Sequence, residues 1–107
     1  MAVTEISVSE LHAAQRAGTP VYDVREPDEF ASGHVPNAIA VPLGEVMERL
    51  HEFPTDISFA VICRSGARSM RAAQYLDQQG RTCVNVMGGT LAWVDAGFDV
   101  STETEAT

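Results

Sequence analysis

The residues with the clearest capacity for chemistry lie in the segment CRSGAR, residues 63–68. Cys63 ends a short apolar run, and Arg64 and Arg68 flank a turn that contains Gly66. Glycine lets the backbone curl, so a tight loop leading into a helix can point several amides at one anion. A thiol over such a loop, beside two cations, should have a pKa below its usual value of ~8.5. The segment therefore predicts a nucleophilic thiolate next to an anion pocket, with no histidine base required.

The alternative for Cys63 is a purely structural one. Most free cysteines behave as small buried apolar side chains, and the flanking arginines would then be solvated. The position directly after an apolar strand, the glycine turn and the paired arginines favour the chemical interpretation.

Composition narrows the classes of function. Seven Lys and Arg against fifteen Asp and Glu give a net charge of −8, which argues against a nucleic-acid partner and against an anionic membrane surface. The start MAVTEISVSE lacks the long apolar core of a signal peptide or membrane anchor. Cys63 and Cys83 do not form a disulfide framework, so we expect free thiols in a reducing cytoplasm.

Strand-like and helix-like runs alternate from one end of the chain to the other. Strands are predicted near Ile6, at Val21–Val24, at Ala38–Val41, within 56–63 and within 82–87. Helices are predicted within 7–18, 26–33, 43–53, 68–80 and 90–98. The alternation predicts an α/β fold, with a parallel sheet of about five strands and helices on both faces. We expect one domain over residues 1–100 and an acidic, disordered tail over 101–107.

Three segments resemble the signatures of the rhodanese-like sulfurtransferase family. They are VYDVREPDEFASGHVPNAIAVPL at 21–43, CRSGARSMRAAQYLDQQG at 63–80 and VNVMGGTLAW at 84–93. The resemblance covers about residues 5–98 in the family's order, which makes it specific. Asn37 stands where the family more often has glycine, but asparagine tolerates a left-handed backbone.

This resemblance implies a sulfur-transfer reaction that needs no metal or cofactor. Cys63 would attack the outer sulfur of thiosulfate or a similar anionic donor, and hold that sulfur as a persulfide until cyanide or a thiol accepts it. The side chains of Arg64 and Arg68 would orient the donor. The substrate-binding loop would supply backbone amides from Arg64, Ser65, Gly66, Ala67, Arg68 and Ser69.

Other functions remain open from the sequence. Cysteine phosphatases of similar layout have five residues between the cysteine and the arginine, whereas four separate Cys63 from Arg68. The shorter loop argues against a phosphatase or arsenate reductase. Two further possibilities are a non-catalytic binding module and a relay that passes sulfur to a protein acceptor.

Several further residues have both a functional and a structural interpretation, and we favour the structural one in each case. Cys83 should lie near the start of its strand, too far from Cys63 to act as a resolving thiol. His34 lacks partners at metal-ligand spacing and should pack within a turn. Core packing is predicted for Trp93, and an internal ion-pair and turn network, rather than the pocket rim, for Asp23, Arg25 and Glu29.

Overall fold

The computed structural model describes residues 3–102, which form a sheet of five parallel strands. The apolar run of β4 (Phe59–Ile62) is fully buried at the centre of the sheet, as expected for a strand that is covered on both faces. The other strands are β1 (Thr4–Ile6), β2 (Val21–Asp23), β3 (Ile39–Ala40) and β5 (Cys83–Val86), and the order is β1-β5-β4-β2-β3. The parallel arrangement places the carboxyl ends of all strands at one edge.

Helices cover both faces of the sheet. The helices are α1 (Val8–Arg16), α2 (Pro27–Ser32), α3 (Ala67–Gln78) and α4 (Gly89–Asp95). Leu11, Phe30 and Trp93 bring α1, α2 and α4 onto one face, and Leu76 of α3 packs with Phe53 on the other. The predicted α/β architecture with helices on both faces is confirmed, as is the core position of Trp93.

Local signals in the sequence place the helix starts. The Ser7 hydroxyl accepts the Glu10 N–H at 3.1 Å, and the Glu10 carboxylate accepts the Ser7 N–H at 2.7 Å, so the two residues form a capping box at the start of α1. Pro27 is the first residue of α2, a position where its missing N–H has no cost.

The predicted helix over 43–53 is wrong. The structure has short 3-10 turns at Leu43–Glu45 and Leu50–Glu52 instead. In both turns an amide donates to the carbonyl three residues back, Val46 to Leu43 at 3.3 Å and Phe53 to the Leu50 carbonyl at 3.0 Å, so the chain turns more tightly than in an α-helix. The Arg81 guanidinium also donates to the Leu50 carbonyl at 3.0 Å, from a distant part of the chain.

The boundary of the predicted tail falls on a residue that pairs with the domain. Ser101 and His34 form an isolated antiparallel bridge, with backbone hydrogen bonds of 2.8 and 2.9 Å. The rest of the predicted tail, from 103 to 107, lies outside the described residues. In the part that is described, no helix is long and apolar enough to cross a membrane.

Candidate active site

Cys63 lies at the carboxyl end of β4, where the chain turns into α3. Gly66 has a φ of +110°, a left-handed conformation that favours glycine, and α3 begins at Ala67. The loop is therefore as short as the sequence predicted, and it wraps the Cys63 side chain. The cysteine is only 1% exposed, so its sulfur is held mainly by protein groups.

Hydrogen-bond donors of the loop and of the first turn of α3 converge on the Cys63 sulfur. The Gly66 N–H donates to Sγ at 3.1 Å, and the Ser69 hydroxyl lies 3.3 Å from it. The backbone amides of Ser65 and Ser69 face the same sulfur and contribute to lowering its pKa. This convergence of donors is the geometry that the predicted anion-binding loop requires, although Ala67 is exposed at the start of the helix.

The pKa of the Cys63 thiol is lowered, in the predicted direction. Burial is the largest single influence and raises the pKa, but the hydrogen bonds from Ser69, Gly66 and Ser65 together outweigh it. The sequence predicted two causes, the loop amides and the positive charges of Arg64 and Arg68. In the structure hydrogen bonds to the sulfur lower the pKa of Cys63.

The start of α4 fixes the loop from behind. The Thr90 amide and hydroxyl donate to the Cys63 carbonyl at 2.9 and 3.1 Å, and the Leu91 amide donates to the Arg64 carbonyl at 3.1 Å. Gly89 lies so close that a Cβ atom there would collide with both carbonyl oxygens. With these carbonyls held by α4, the loop amides remain free to face the sulfur.

Arg68 forms an ion pair with Glu29 of α2 and is not a free cation. The two guanidinium nitrogens donate to the two carboxylate oxygens at 2.8 and 2.9 Å, and both side chains remain partly exposed. Hydrogen bonds, first from Arg68 and then from the Glu26 amide, lower the pKa of Glu29 to about 2. An anionic donor that approaches Arg68 must therefore share it with Glu29.

The Arg64 side chain lies in a different environment from that of Arg68. Its side chain is exposed and lines a groove of about 500 Å³ with Arg25, Leu91 and Val94 among its neighbours. Within that groove the Arg25 charge is already compensated, since its guanidinium donates to both carboxylate oxygens of Asp23 at 2.9–3.1 Å.

The favoured structural roles of three predicted residues agree with their contacts. Asp23 and Arg25 form a buried pair, and Arg25 also donates to the Gly33 carbonyl at 2.8 Å, so the expected ion-pair and turn network is present. His34 is buried, stacks on Phe30 and contacts the Phe30 carbonyl through Nδ1 at 2.7 Å. Among residues 3–102, no group of His, Cys, Asp or Glu side chains is arranged to hold a metal ion.

Cys83 is remote from the reactive sulfur. It is paired with Phe59 in the register of β4 and β5, four strand positions before Cys63, or about 13 Å at ~3.3 Å per residue. Burial raises the pKa of Cys83 to about 11, so its thiol stays protonated at neutral pH. These observations agree with the predicted structural role.

Sequence reasoning missed a polar chain behind the cysteine. The Ser69 hydroxyl contacts Asn85 Oδ1, and Asn85 Nδ2 donates to a Glu5 carboxylate oxygen at 2.9 Å. Ser69 and Asn85 are fully buried. The asparagine in the apolar strand β5 was the available signal, since a buried amide needs partners.

Comparison with known proteins identifies a matching family model and several similar proteins. The family model described as rhodanese-like domain matches residues 7–96. A sulfurtransferase of Allochromatium vinosum is 42% identical over 79 residues, covering 73% of this chain and 74% of that protein. Thiosulfate sulfurtransferase 18 of Arabidopsis thaliana is 36% identical and covers 96% and 87%, respectively.

A solved structure extends the comparison to the backbone. The crystal structure of a rhodanese-related protein from Thermoplasma volcanium superposes with a TM-score of 0.88 at 36% identity, covering 94% of this chain and 99% of that one. The fold, the order of the motifs and the family model agree, and the chain therefore belongs to the rhodanese-like domain family.

Proposed function

We propose that this protein is a sulfurtransferase that carries sulfur from thiosulfate or a similar anionic donor as a Cys63 persulfide. The observation that carries the proposal is the convergence of the Gly66 amide, the Ser69 hydroxyl and further loop amides on the Cys63 sulfur. Such a loop stabilises a thiolate and can also hold the negative charge of a terminal persulfide sulfur. The sulfurtransferases among the relatives support the same class of reaction.

In the first step the Cys63 thiolate attacks the outer sulfur of thiosulfate. A bond forms between Sγ and that sulfur, the sulfur–sulfur bond of the donor breaks, and sulfite leaves with the bonding electron pair. The negative charge moves from Sγ to the terminal sulfur, where the loop amides stabilise it. The total charge is unchanged, because a thiolate and a dianion become a persulfide anion and a dianion.

In the second step an acceptor nucleophile attacks the terminal sulfur. Cyanide takes that sulfur as thiocyanate, or a thiol takes it as a new persulfide, and Cys63 returns as a thiolate. Arg64 and Arg68 attract the anionic donor, with Arg68 shared between donor and Glu29. We place the reaction in a reducing cytoplasm, because the proposed nucleophile must remain a free thiol.

The test is the intact mass of the protein after incubation with thiosulfate and removal of excess donor. We expect wild type to gain the mass of one sulfur atom and to release one equivalent of sulfite, and Cys63→Ser to gain nothing. Cys83→Ser is the matched control and should load as wild type does. An unmodified wild-type mass, or loading that survives in Cys63→Ser, would contradict the proposal.

The same preparations distinguish a phosphatase from a sulfurtransferase. The loop between Cys63 and Arg68 has four residues, one fewer than in cysteine phosphatases of similar layout, so we expect no hydrolysis of an aryl phosphate. Hydrolysis that disappears in Cys63→Ser, without sulfur loading of wild type, would assign the site to phosphate chemistry instead.

A further inference from the structure

Asn85 is a buried amide in a strand that is otherwise apolar. It lies in β5 between Val84 and Val86, has no exposed surface, and pairs in register with Val61 of β4 and Glu5 of β1. A polar side chain in this position destabilises the fold unless its hydrogen-bonding groups find partners. The partners of Asn85 lead directly to the reactive cysteine.

Contacts with acceptors fix the orientation of the amide. Asn85 Nδ2 donates to the Glu5 carboxylate at 2.9 Å and to the Gly66 carbonyl at 3.2 Å. The reverse orientation would place Oδ1 against those two acceptors, so the amide oxygen must face the Ser69 hydroxyl, 2.5 Å away. An acceptor, not a donor, therefore lies behind Ser69.

Ser69 has a single hydroxyl hydrogen and an acceptor on each side. Asn85 Oδ1 is one acceptor, and the Cys63 sulfur, 3.3 Å from the hydroxyl, is the other. When the sulfur carries its own proton, the thiol can donate to the Ser69 oxygen while Ser69 donates to Asn85. When the sulfur is a thiolate, the same hydrogen is needed at Sγ, and Asn85 loses it.

We propose that Asn85 is a positioning residue that competes with the Cys63 thiolate for the hydroxyl hydrogen of Ser69. The thiolate is consequently less stabilised than a free serine would make it, which leaves it more basic and more nucleophilic. The consequence for catalysis rests on the proposed function. After loading, Sγ is bonded to sulfur and the charge lies on the terminal atom, so the hydrogen returns to Asn85 and favours the loaded form.

Other charged groups surround this end of the sheet and stay unchanged in the main variants. Arg68 carries a charge that interacts with Cys63, and Glu29 of α2 is paired with it. The buried pair of Asp23 and Arg25 ends β2, Arg64 is exposed on the loop, and Glu5 lies behind Asn85.

The experiment measures the rate of Cys63 alkylation by iodoacetamide as a function of pH. Asn85→Leu keeps the shape of the side chain and removes the acceptor, so the pKa of Cys63 should fall by roughly 0.5 to 1. The limiting rate above both pKa values should fall about twofold, because a less basic thiolate is a weaker nucleophile. The Cys83 thiol, with a pKa of about 11, does not react in this range.

A double-mutant cycle separates hydrogen-bond competition from a merely structural role. Ser69→Ala should raise the pKa of Cys63, and Asn85→Leu should have no further effect in that background, since the contested hydrogen is gone. Glu5→Gln keeps an acceptor for Asn85 Nδ2 and removes a charge, so we expect it to leave the pKa unchanged. A fall in Glu5→Gln equal to that in Asn85→Leu would overturn the proposal in favour of a charge effect.

Further outcomes would also overturn it. Asn85→Ala is measured beside Asn85→Leu, and circular dichroism checks that each variant folds. An unchanged or raised pKa in the folded variants contradicts the competition, as does an undiminished fall in the Ser69→Ala background. Because alkylation needs no sulfur donor, this result is independent of whether wild type loads sulfur from thiosulfate.

Discussion

Replacing Glu29 with glutamine should make the protein capture thiosulfate at lower concentrations. Glu29 occupies both donor nitrogens of Arg68, at 2.8 and 2.9 Å, in the position where an anionic donor would bind. Glutamine keeps an oxygen that can accept the Glu26 N–H, which the Glu29 carboxylate accepts at 3.0 Å, so the start of α2 is preserved. The substitution therefore removes the competing charge with little change in local structure.

The magnitude follows from the strength of the ion pair. The pKa of Glu29 falls from 4.5 to about 2, chiefly through Arg68 and partly through the Glu26 amide, so the pair accounts for at most about 3 kcal/mol without screening. Solvent reaches both side chains, with 33% of Arg68 and 27% of Glu29 exposed, which reduces the pair to about 1 kcal/mol. Releasing Arg68 should then lower the thiosulfate concentration for half-maximal loading roughly fivefold.

The assay follows sulfite release in a single turnover across a range of thiosulfate concentrations. Asp28→Asn, which neutralises an exposed acid on the same helix, is the matched control and should change the midpoint far less. The gain from Glu29→Gln should also disappear in an Arg68→Ala background. If Glu29→Gln needs as much thiosulfate as wild type, or more, the idea that Glu29 competes with the donor is wrong.

Three further predictions concern stability and the shape of the loop. Gly89→Ala should destabilise the fold by roughly 2 kcal/mol or more in urea unfolding and should impair sulfur loading, because the new Cβ atom collides with backbone. Gly97→Ala is the control: Gly97 also has a positive φ but has open space around it, so the substitution should cost only about 1 kcal/mol. Asp23→Asn should cost roughly 3–5 kcal/mol in the same measurement, because it leaves the Arg25 charge buried without a carboxylate. The pKa of Glu29 in the folded state is lowered to about 2, so its contribution to stability is present above about pH 4.5 and is lost as the pH falls towards 2. The melting temperature of Glu29→Gln should therefore fall less on acidification than that of wild type.

Local signals were sufficient for much of the fold. The capping box at Ser7, the proline at the start of α2 and the apolar run of β4 each act through neighbours in the sequence, so their patterns predicted the elements correctly. The prediction of one helix over 43–53 was wrong, because the segment forms two successive short turns, and the Leu50 and Phe53 carbonyls accept from Arg81, about thirty positions away. An apolar stripe records which residues face the core, and successive turns can present the same stripe as a helix.

For the candidate site, the sequence by itself determined that Cys63 begins a short glycine-containing loop at the end of a buried strand. Only the tertiary structure decided how the arginine and serine side chains near Cys63 are paired with the rest of the chain. Arg68 meets Glu29 across 39 residues of chain, and Ser69 meets Asn85 across 16. A net count of charges near Cys63 cannot reveal such pairings, because a guanidinium already bound to a carboxylate attracts anions far less than a free one. The hydrogen bonds that lower the pKa of Cys63 come from residues within six positions of it, but the acceptor that contacts Ser69 from behind is supplied by the neighbouring strand β5.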